Sequence, residues 1–351
     1  MARPEVWTTG IPWPGAIERA ASRAEAAGFD GLAVVDSQNL AGDPYVGLAL
    51  AARETDRLRL GTAVTNPVTR HPAATAAAAV TLQAASAGRF VLGIGRGDSA
   101  LAHLGRAPAP VAEFERYLAV LQVYLRGDEV DFDDLGFHEG VAPPVEMLGL
   151  ANAPAASRLH FLPPDLPKVP VEVAATGPRV LGAAAHHADR VLLALGADPE
   201  RVRWGIDTVR AAGGTSVGSF VNVVAHPDVE TARKLASGGV ATFARFQVMH
   251  GTVSGPLEPD EHDSFEAVHD AYDMTKHTQV GSPQAATLGP EFIDRFGIVG
   301  TSDMCAQRIG ELVDLGLDKL IVTGPTLGAD PTEARAALQR FASEVLPAIG
   351  A

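Results

Sequence analysis

One local pattern recurs along this chain and limits what it can fold into. A helical run ends in small residues and glycine, an acidic or aromatic residue follows, and then four or five apolar residues come in succession. It stands at Ala27-Gly28-Phe29-Asp30-Gly31-Leu32-Ala33-Val34-Val35-Asp36, at Ala87-Gly88-Arg89-Phe90-Val91-Leu92-Gly93 and at Leu315-Gly316-Leu317-Asp318-Lys319-Leu320-Ile321-Val322. A version without the glycine runs His187-Ala188-Asp189-Arg190-Val191-Leu192-Leu193-Ala194. Glycine just past a helix takes positive φ at little cost and stops it. Unbroken apolar runs suit strands buried on both faces, as in a parallel sheet.

Extended along the chain, the pattern predicts eight strands, at 5–8, 31–35, 58–63, 90–93, 169–173, 190–194, 219–225 and 319–323. Helical patterns lie at 14–27, 44–55, 72–87, 111–125, 178–187, 199–212, 229–246 and 331–346, several opened by proline, the favoured first helical position. Strand and helix alternate throughout, which predicts an α/β chain folded as one closed (β/α)8 TIM barrel over 1–351 rather than two domains. Two regions break the rhythm. Residues 127–167 carry an acidic run and then a Pro/Ala-rich segment, read as a short hairpin or excursion. Residues 250–290 are rich in His, Asp, Gly and Pro, with a short helix near 264–276. Insertions of this length are either lids and partner surfaces or loosely packed loops.

The 351 residues are 46% hydrophobic with a formal net charge of −14, which argues against nucleic acid as a partner. No uncharged apolar run of about 18 residues predicts a membrane span. The N-terminal segment lacks the hydrophobic core of a signal peptide, and the lone Cys305 allows no intrachain disulfide or thiolate zinc cluster. A cytoplasmic location is the default expectation. His250, His262, His269 and His277 cluster in the second insertion without recognisable metal-ligand spacing, so no metal site is expected.

In a parallel barrel, ligands bind at the C-terminal ends of the strands. Asp36-Ser37 ends the second strand; Asp36 either meets a ligand or caps its own loop. Ala63-Val64-Thr65-Asn66 ends the third, where a bulge would turn backbone groups toward a flat ring; Asn66-Pro67 is equally an ordinary turn. Gly93-Ile94-Gly95-Arg96-Gly97-Asp98-Ser99 ends the fourth, its glycines allowing close backbone approach, with Arg96 and Asp98 free to pair with each other or with a ligand. This spacing is neither the dinucleotide fingerprint nor a P-loop. Ala175-Thr176-Gly177 ends the fifth and leads into Pro178, a plausible anion cradle or a plain helix cap, with Gly196-Ala197 after the sixth as its counterpart. Asp36, His71 and Ser99 do not make a hydrolase triad, for the nucleophile elbow is missing. A barrel aldolase is disfavoured because no lysine clearly ends a strand, and Lys319 begins one.

These strand-end segments, with Ile298-Val299-Gly300-Thr301-Ser302, resemble the bacterial luciferase-like superfamily of flavin- and deazaflavin-dependent oxidoreductases. The third- and fourth-strand segments look most like the branch of methylenetetrahydromethanopterin reductase, which uses coenzyme F420. The resemblance implies a dimeric (β/α)8 barrel, often with a non-prolyl cis peptide that would fall at Ala63-Val64. It implies cofactor contacts at Asp36, Ser37, Ala63, Val64, Thr65, Asn66, Gly97 and Asp98, and a phosphate near Ala175, Thr176, Gly177, Gly196 and Ala197. Asp98 and Asp36 are then the candidate catalytic groups. Asp36 is followed by Ser-Gln-Asn with no histidine, unlike the glucose-6-phosphate dehydrogenase branch, so sugar-phosphate oxidation is not expected. The expected function is hydride transfer between F420 and an organic substrate. The alternatives are an FMN-dependent monooxygenase fed by a separate flavin reductase, and a non-catalytic flavin-binding relative. The whole reading requires Val64, Asp98 and Thr176 to meet on one rim.

Overall fold

The computed structural model describes residues 3–137, 140, 142–249 and 251–349. His250, where the second insertion was expected to begin, lies outside them, as do three residues of the first. The chain runs β1 (Glu5–Gly10), α1 (Ala16–Ala27), β2 (Gly31–Val34), α2 (Pro44–Arg53), β3 (Arg59–Thr62), α3 (Pro72–Ala85), β4 (Phe90–Ile94), a short α4 (Ser99–Ala102) and α5 (Val111–Arg126). It continues with β5 (Val171–Ala175), α6 (Pro178–His187), β6 (Arg190–Leu193), α7 (Pro199–Ala211), β7 (Val217–Ala225) and α8 (Val229–Val248). Then come α9 (Pro259–Asp270), α10 (Pro283–Ala286), α11 (Pro290–Phe296), β8 (Ile298–Gly300), α12 (Ser302–Asp314), β9 (Lys319–Thr323), α13 (Pro331–Arg340) and α14 (Leu346–Ile349).

Local chemistry sets many of these boundaries. Asp43, Asp198 and Asp330 each precede a proline and accept two backbone N–H bonds, capping α2, α7 and α13. His71 caps α3 through Nδ1, at 3.2 Å from the Ala73 nitrogen. Gly28 and Gly127 close α1 and α5 with φ of 88° and 80°.

Eight strands close a parallel ring in the order β1-β2-β3-β4-β5-β6-β7-β9, and β9 returns to β1 through Glu5 opposite Lys319. All eight are the strands expected from the apolar runs, although β5 begins two residues later than expected, directly after Pro170. β8 was not expected. It pairs with the outer half of β7, Val223–Ala225, beyond the ring. α12 was also missed; it starts at a Thr301 cap and buries Cys305, Ile309 and Leu312 at helical spacing.

Residues alternate along each strand, so one set points inward and the other onto the helices. Three inward layers follow. At the N-terminal end Glu5, Glu172, Arg190 and Lys319 form a charged plug: Lys319 Nζ lies 2.7 Å from Glu172, and Arg190 reaches Glu172 at 2.6 Å and Asp318 at 2.8 Å. The middle layer is apolar and includes Trp7, Ala33, Val91, Leu192, Phe220 and Ile321. The third layer, toward the C-terminal ends, lines the cavity described below. Trp7 fills the waist, and its neighbours must leave room for it. A Cβ on Gly31 would sit 2.3 Å from the indole, and one on Gly61 3.1 Å from it.

The insertions differ from each other. The described residues of 127–167 hold two short 3-10 turns and one antiparallel bridge, Val130 to Ser157, and their apolar side chains Phe137, Met147 and Leu148 are exposed. The second insertion is a packed cover rather than a loose loop. Phe265 of α9 is fully buried and meets Phe292 and Phe296 of α11 edge-on at 5.2 and 5.8 Å. The helix expected near 264–276 is α9, shifted toward the N-terminus, followed by a 3-10 turn at Met274–Lys276.

Gly31→Ala is expected to destabilise the protein by roughly 1–3 kcal/mol through overpacking against Trp7. Trp7→Leu in the same chain should recover part of that loss, giving non-additive midpoints in urea unfolding.

Candidate active site

A cavity of about 520 Å³ opens at the C-terminal ends of the barrel strands. Asp36, Ser37, Ala63, Val64, Asn66, Gly97, Asp98, Ala175 and Thr176 all line it, so the required meeting of Val64, Asp98 and Thr176 occurs. The Ala63–Val64 peptide is cis, at the bond to which the resemblance pointed. Four of the expected residues are not among the lining. Thr65 is fully buried and its backbone ties the β3 end to β4, bonding Gly93 and Gly95. Gly177 caps α6, with nothing within 4 Å of where its Cβ would be. Gly196 and Ala197 turn toward α11 instead. A Cβ on Gly196 would be 2.6 Å from the Phe296 ring, and Ala197 donates its N–H to the Phe296 carbonyl at 2.8 Å.

Asp36 is nearly buried and accepts from Gln38 Nε2 at 2.6 Å through one oxygen. Burial raises its pKa; neighbouring Thr65 and Gln38 offset part of this. Thr65 stands between Asp36 and Tyr45 without a well-aligned bond to either, so Asp36 Oδ2, Thr65 Oγ1 and Tyr45 OH are buried without partners. Asn66 Oδ1 is occupied by its own turn, accepting from the Val68 and Thr69 nitrogens at 3.0 Å.

Asp98 and Arg96 do not pair with each other. The Asp98 carboxylate is held by Arg245 from α8, while Arg96 donates to the Ala109 carbonyl at 2.6 Å. Burial lowers the Arg96 pKa, and the like charge of nearby Arg179, at the start of α6, adds to this. The Arg245 guanidinium lies 4.7 Å from the centre of the Tyr272 ring. The Tyr272 hydroxyl is in turn 2.7 Å from His277 Nδ1. Burial pushes His277 down to about 4, opposed by the Asp98 charge and reinforced by Arg245 and His103, and it pushes Tyr272 up to about 12.

Sequence reasoning missed Arg245, Tyr272, His277 and Asn222. Arg245 sits on a helix pattern that looked purely structural. His277 was noted only for its lack of metal spacing. On α9, the exposed His262, Asp263 and Glu266 do bring their ligand atoms within 4.8 Å of one another, at helical spacing the sequence reading passed over.

Together these groups make a slot with an apolar floor, two acidic groups in different environments near the rim, and cationic groups beside the start of α6. Such a slot can hold a planar ring with an anionic tail. No helix among the described residues is long and apolar enough to cross a membrane.

A prediction follows from His277. Unfolded, it titrates near 6.5. Folded, it titrates at about 4, so only the unfolded chain takes up that proton as pH falls through this window. The stabilising contribution is fully present above about 6.5 and is lost toward 4. Urea midpoints of His277→Gln should therefore fall less steeply than wild type between pH 7 and 4.5.

The family model for luciferase-like monooxygenase matches residues 2–319. The chain is 29% identical over 315 residues to the 5,10-methylenetetrahydromethanopterin reductase of Methanolobus tindarius, covering 87% of this chain and 89% of the relative. The coenzyme F420-dependent tetrahydromethanopterin reductase structure from Methanopyrus kandleri superposes with a TM-score of 0.71 over 99% of both chains at 22% identity. The oxygenating constituent of 3,6-diketocamphane monooxygenase from Pseudomonas putida, solved with FMN, superposes at 0.62 over 98% of both chains at 17% identity. By its (β/α)8 barrel and its sequence, this chain belongs to the luciferase-like monooxygenase family of oxidoreductases.

Proposed function

We propose that this protein is an F420-dependent oxidoreductase that transfers a hydride between the deazaflavin and an organic substrate. The observation that carries the reading is the convergence of Asp36, Val64, Asp98 and Thr176 on one apolar-floored cavity. The relative from Methanolobus tindarius and the superposed F420-dependent structure support the deazaflavin over FMN.

The residues present fit such a group. Ala63 and Val64 would back the ring, and Gly95 lets it approach β4, where a Cβ would crowd Val64 at 3.0 Å. The phosphate tail would reach Thr176 and the open space before Gly177, where the start of a ten-residue helix and the guanidinium groups of Arg96 and Arg179 favour an anion. Gly196 and Ala197, packed against α11, are not part of that cradle. The bound cofactor supplies the redox chemistry. The chain supplies orientation, dry surroundings and two acids made different by their environments. Asp36, its pKa raised by burial, is the better group to hold a proton. Asp98, ion-paired with Arg245, would stand beside the ring as a fixed polar group.

Fluorescence titration of the purified protein should show F420 binding at least tenfold more tightly than FMN, with no FMN-supported oxygen consumption. Tight FMN selectivity with oxygen uptake in the presence of a flavin reductase would instead make this a two-component monooxygenase. Arg96→Met should weaken F420 binding by about 10- to 100-fold, the range for losing a charge-assisted hydrogen bond. Unchanged affinity in that variant would remove the phosphate cradle.

A further inference from the structure

The cavity is divided by charge. Among the described residues lining it, the charged ones are Asp36, Arg96 and Asp98, all from the ends of β2 and β4. The side built by β7, β9 and β1, with the second insertion over it, is uncharged. Phe220, Phe243, Met274 and Leu327 give that side its apolar walls. Arg245, on α8, is already neutralised by Asp98 and covered by Tyr272.

One fully buried polar side chain in that half has a donor with no hydrogen-bond partner among the described residues. Asn222 lies on the inward face of β7 and is 1% exposed. The Thr323 hydroxyl donates to its Oδ1 at 2.8 Å and fixes the amide. Gly239 makes room for it, since a Cβ there would be 2.3 Å from Oδ1. Among the described residues, Asn222 Nδ2 is buried without a hydrogen-bond partner, in a residue that lines the cavity. A buried amide left so is destabilising, and a ligand acceptor would remove that cost.

We infer that Asn222 anchors the substrate, its Nδ2–H donating to the carbonyl oxygen of an uncharged compound with apolar flanks. This rests on the hydride-transfer reading only in assigning the other half of the cavity to the cofactor. His277 supports the same ligand class. It lines this half, and its Nε2 has no partner among the described residues. The Tyr272 hydroxyl, kept protonated by burial, lies 2.7 Å from Nδ1 and 3.4 Å from Thr242 Oγ1; where it donates to Nδ1, the ring proton stands on Nε2. A neutral imidazole donor suits a neutral acceptor, and among the described residues this wall offers no cation to a carboxylate.

The test uses the full chain with ¹⁵N-labelled asparagine. There are four asparagines, Asn39, Asn66, Asn152 and Asn222, so the Asn222 side-chain amide is identified by its loss in Asn222→Leu. Cyclohexanone should shift that amide pair, and cyclohexanecarboxylate should not. Asn222→Leu should weaken cyclohexanone binding about five- to tenfold, while F420 binds both proteins equally. Asn222→Asp, which keeps the shape, should weaken cyclohexanone binding as well if the leucine variant does not fold. The inference is overturned if cyclohexanone leaves the amide unmoved in protein that binds F420, if the carboxylate shifts it equally, or if F420 alone shifts it and blocks the response. Failure of both F420 and FMN to bind, with the cyclohexanone response intact, overturns the hydride-transfer reading and upholds the carbonyl site.

Discussion

A lysine lies inside this barrel, and the polarity of the whole molecule follows from how it is accommodated. Lys319 is fully buried, 2.7 Å from Glu172 and 3.3 Å from the centre of the Trp7 ring. Burial, against the opposing pull of Glu172, leaves its pKa lowered to about 8. Two charges out of water are tolerable only if further hydrogen bonds satisfy them. Here Arg190 holds Glu172 from the other side, Glu5 joins Arg190 to Arg59, and the Trp7 indole N–H donates to Glu5 at 2.9 Å. The network fills the N-terminal end of the ring. Water and ligands are left the other end, where eight parallel strands finish together.

Trp7 passes this arrangement upward. Its indole rests on Lys319 and fills the waist, so Gly31 and Gly61 must lack side chains. Above it the inward positions carry small or apolar groups, Ala63, Ala174 and Ala194 among them. Small residues at this level lower the floor and leave the cavity its depth. The floor therefore takes a flat apolar face, and the charged groups of the lining stand at the rim.

The part of this legible in sequence is the part built locally. Each barrel strand is a run of buried β residues fixed by its neighbours in the chain, and each rim residue at a strand end inherits its position from that strand. Asp36, Val64, Asp98 and Thr176 could be placed for that reason alone. Gly196 and Ala197 could not. A Leu-Gly-Ala turn looks the same whether it bends inward or outward, and the choice was made by Phe296, on a helix the sequence pattern did not reveal. β8 has three residues, too few to show a period, and is held by the far end of β7. Arg245 meets Asp98 across 147 residues of chain, a contact no local pattern encodes.

That long-range pair explains why the two sides of the cavity differ in kind. α8 is 20 residues long, about 30 Å at helical rise, enough to bring Arg245 and Phe246 over the strand ends. The Asp98–Arg245 pair is mostly buried, with side-chain exposures of 13% and 17%, and Tyr272 covers the guanidinium face. Screening by solvent is weak there, so the pair is worth more than an exposed one. Its effect on the cavity is subtraction. It neutralises the α8 cation and, through the same Tyr272, holds the His277 ring in place. The rim keeps its charges on the β2–β4 side, and the opposite wall is left with hydrogen-bond donors set among phenylalanines. The ends of β2 and β4 fix the first side. The length of α8 and one packed insertion determine the second.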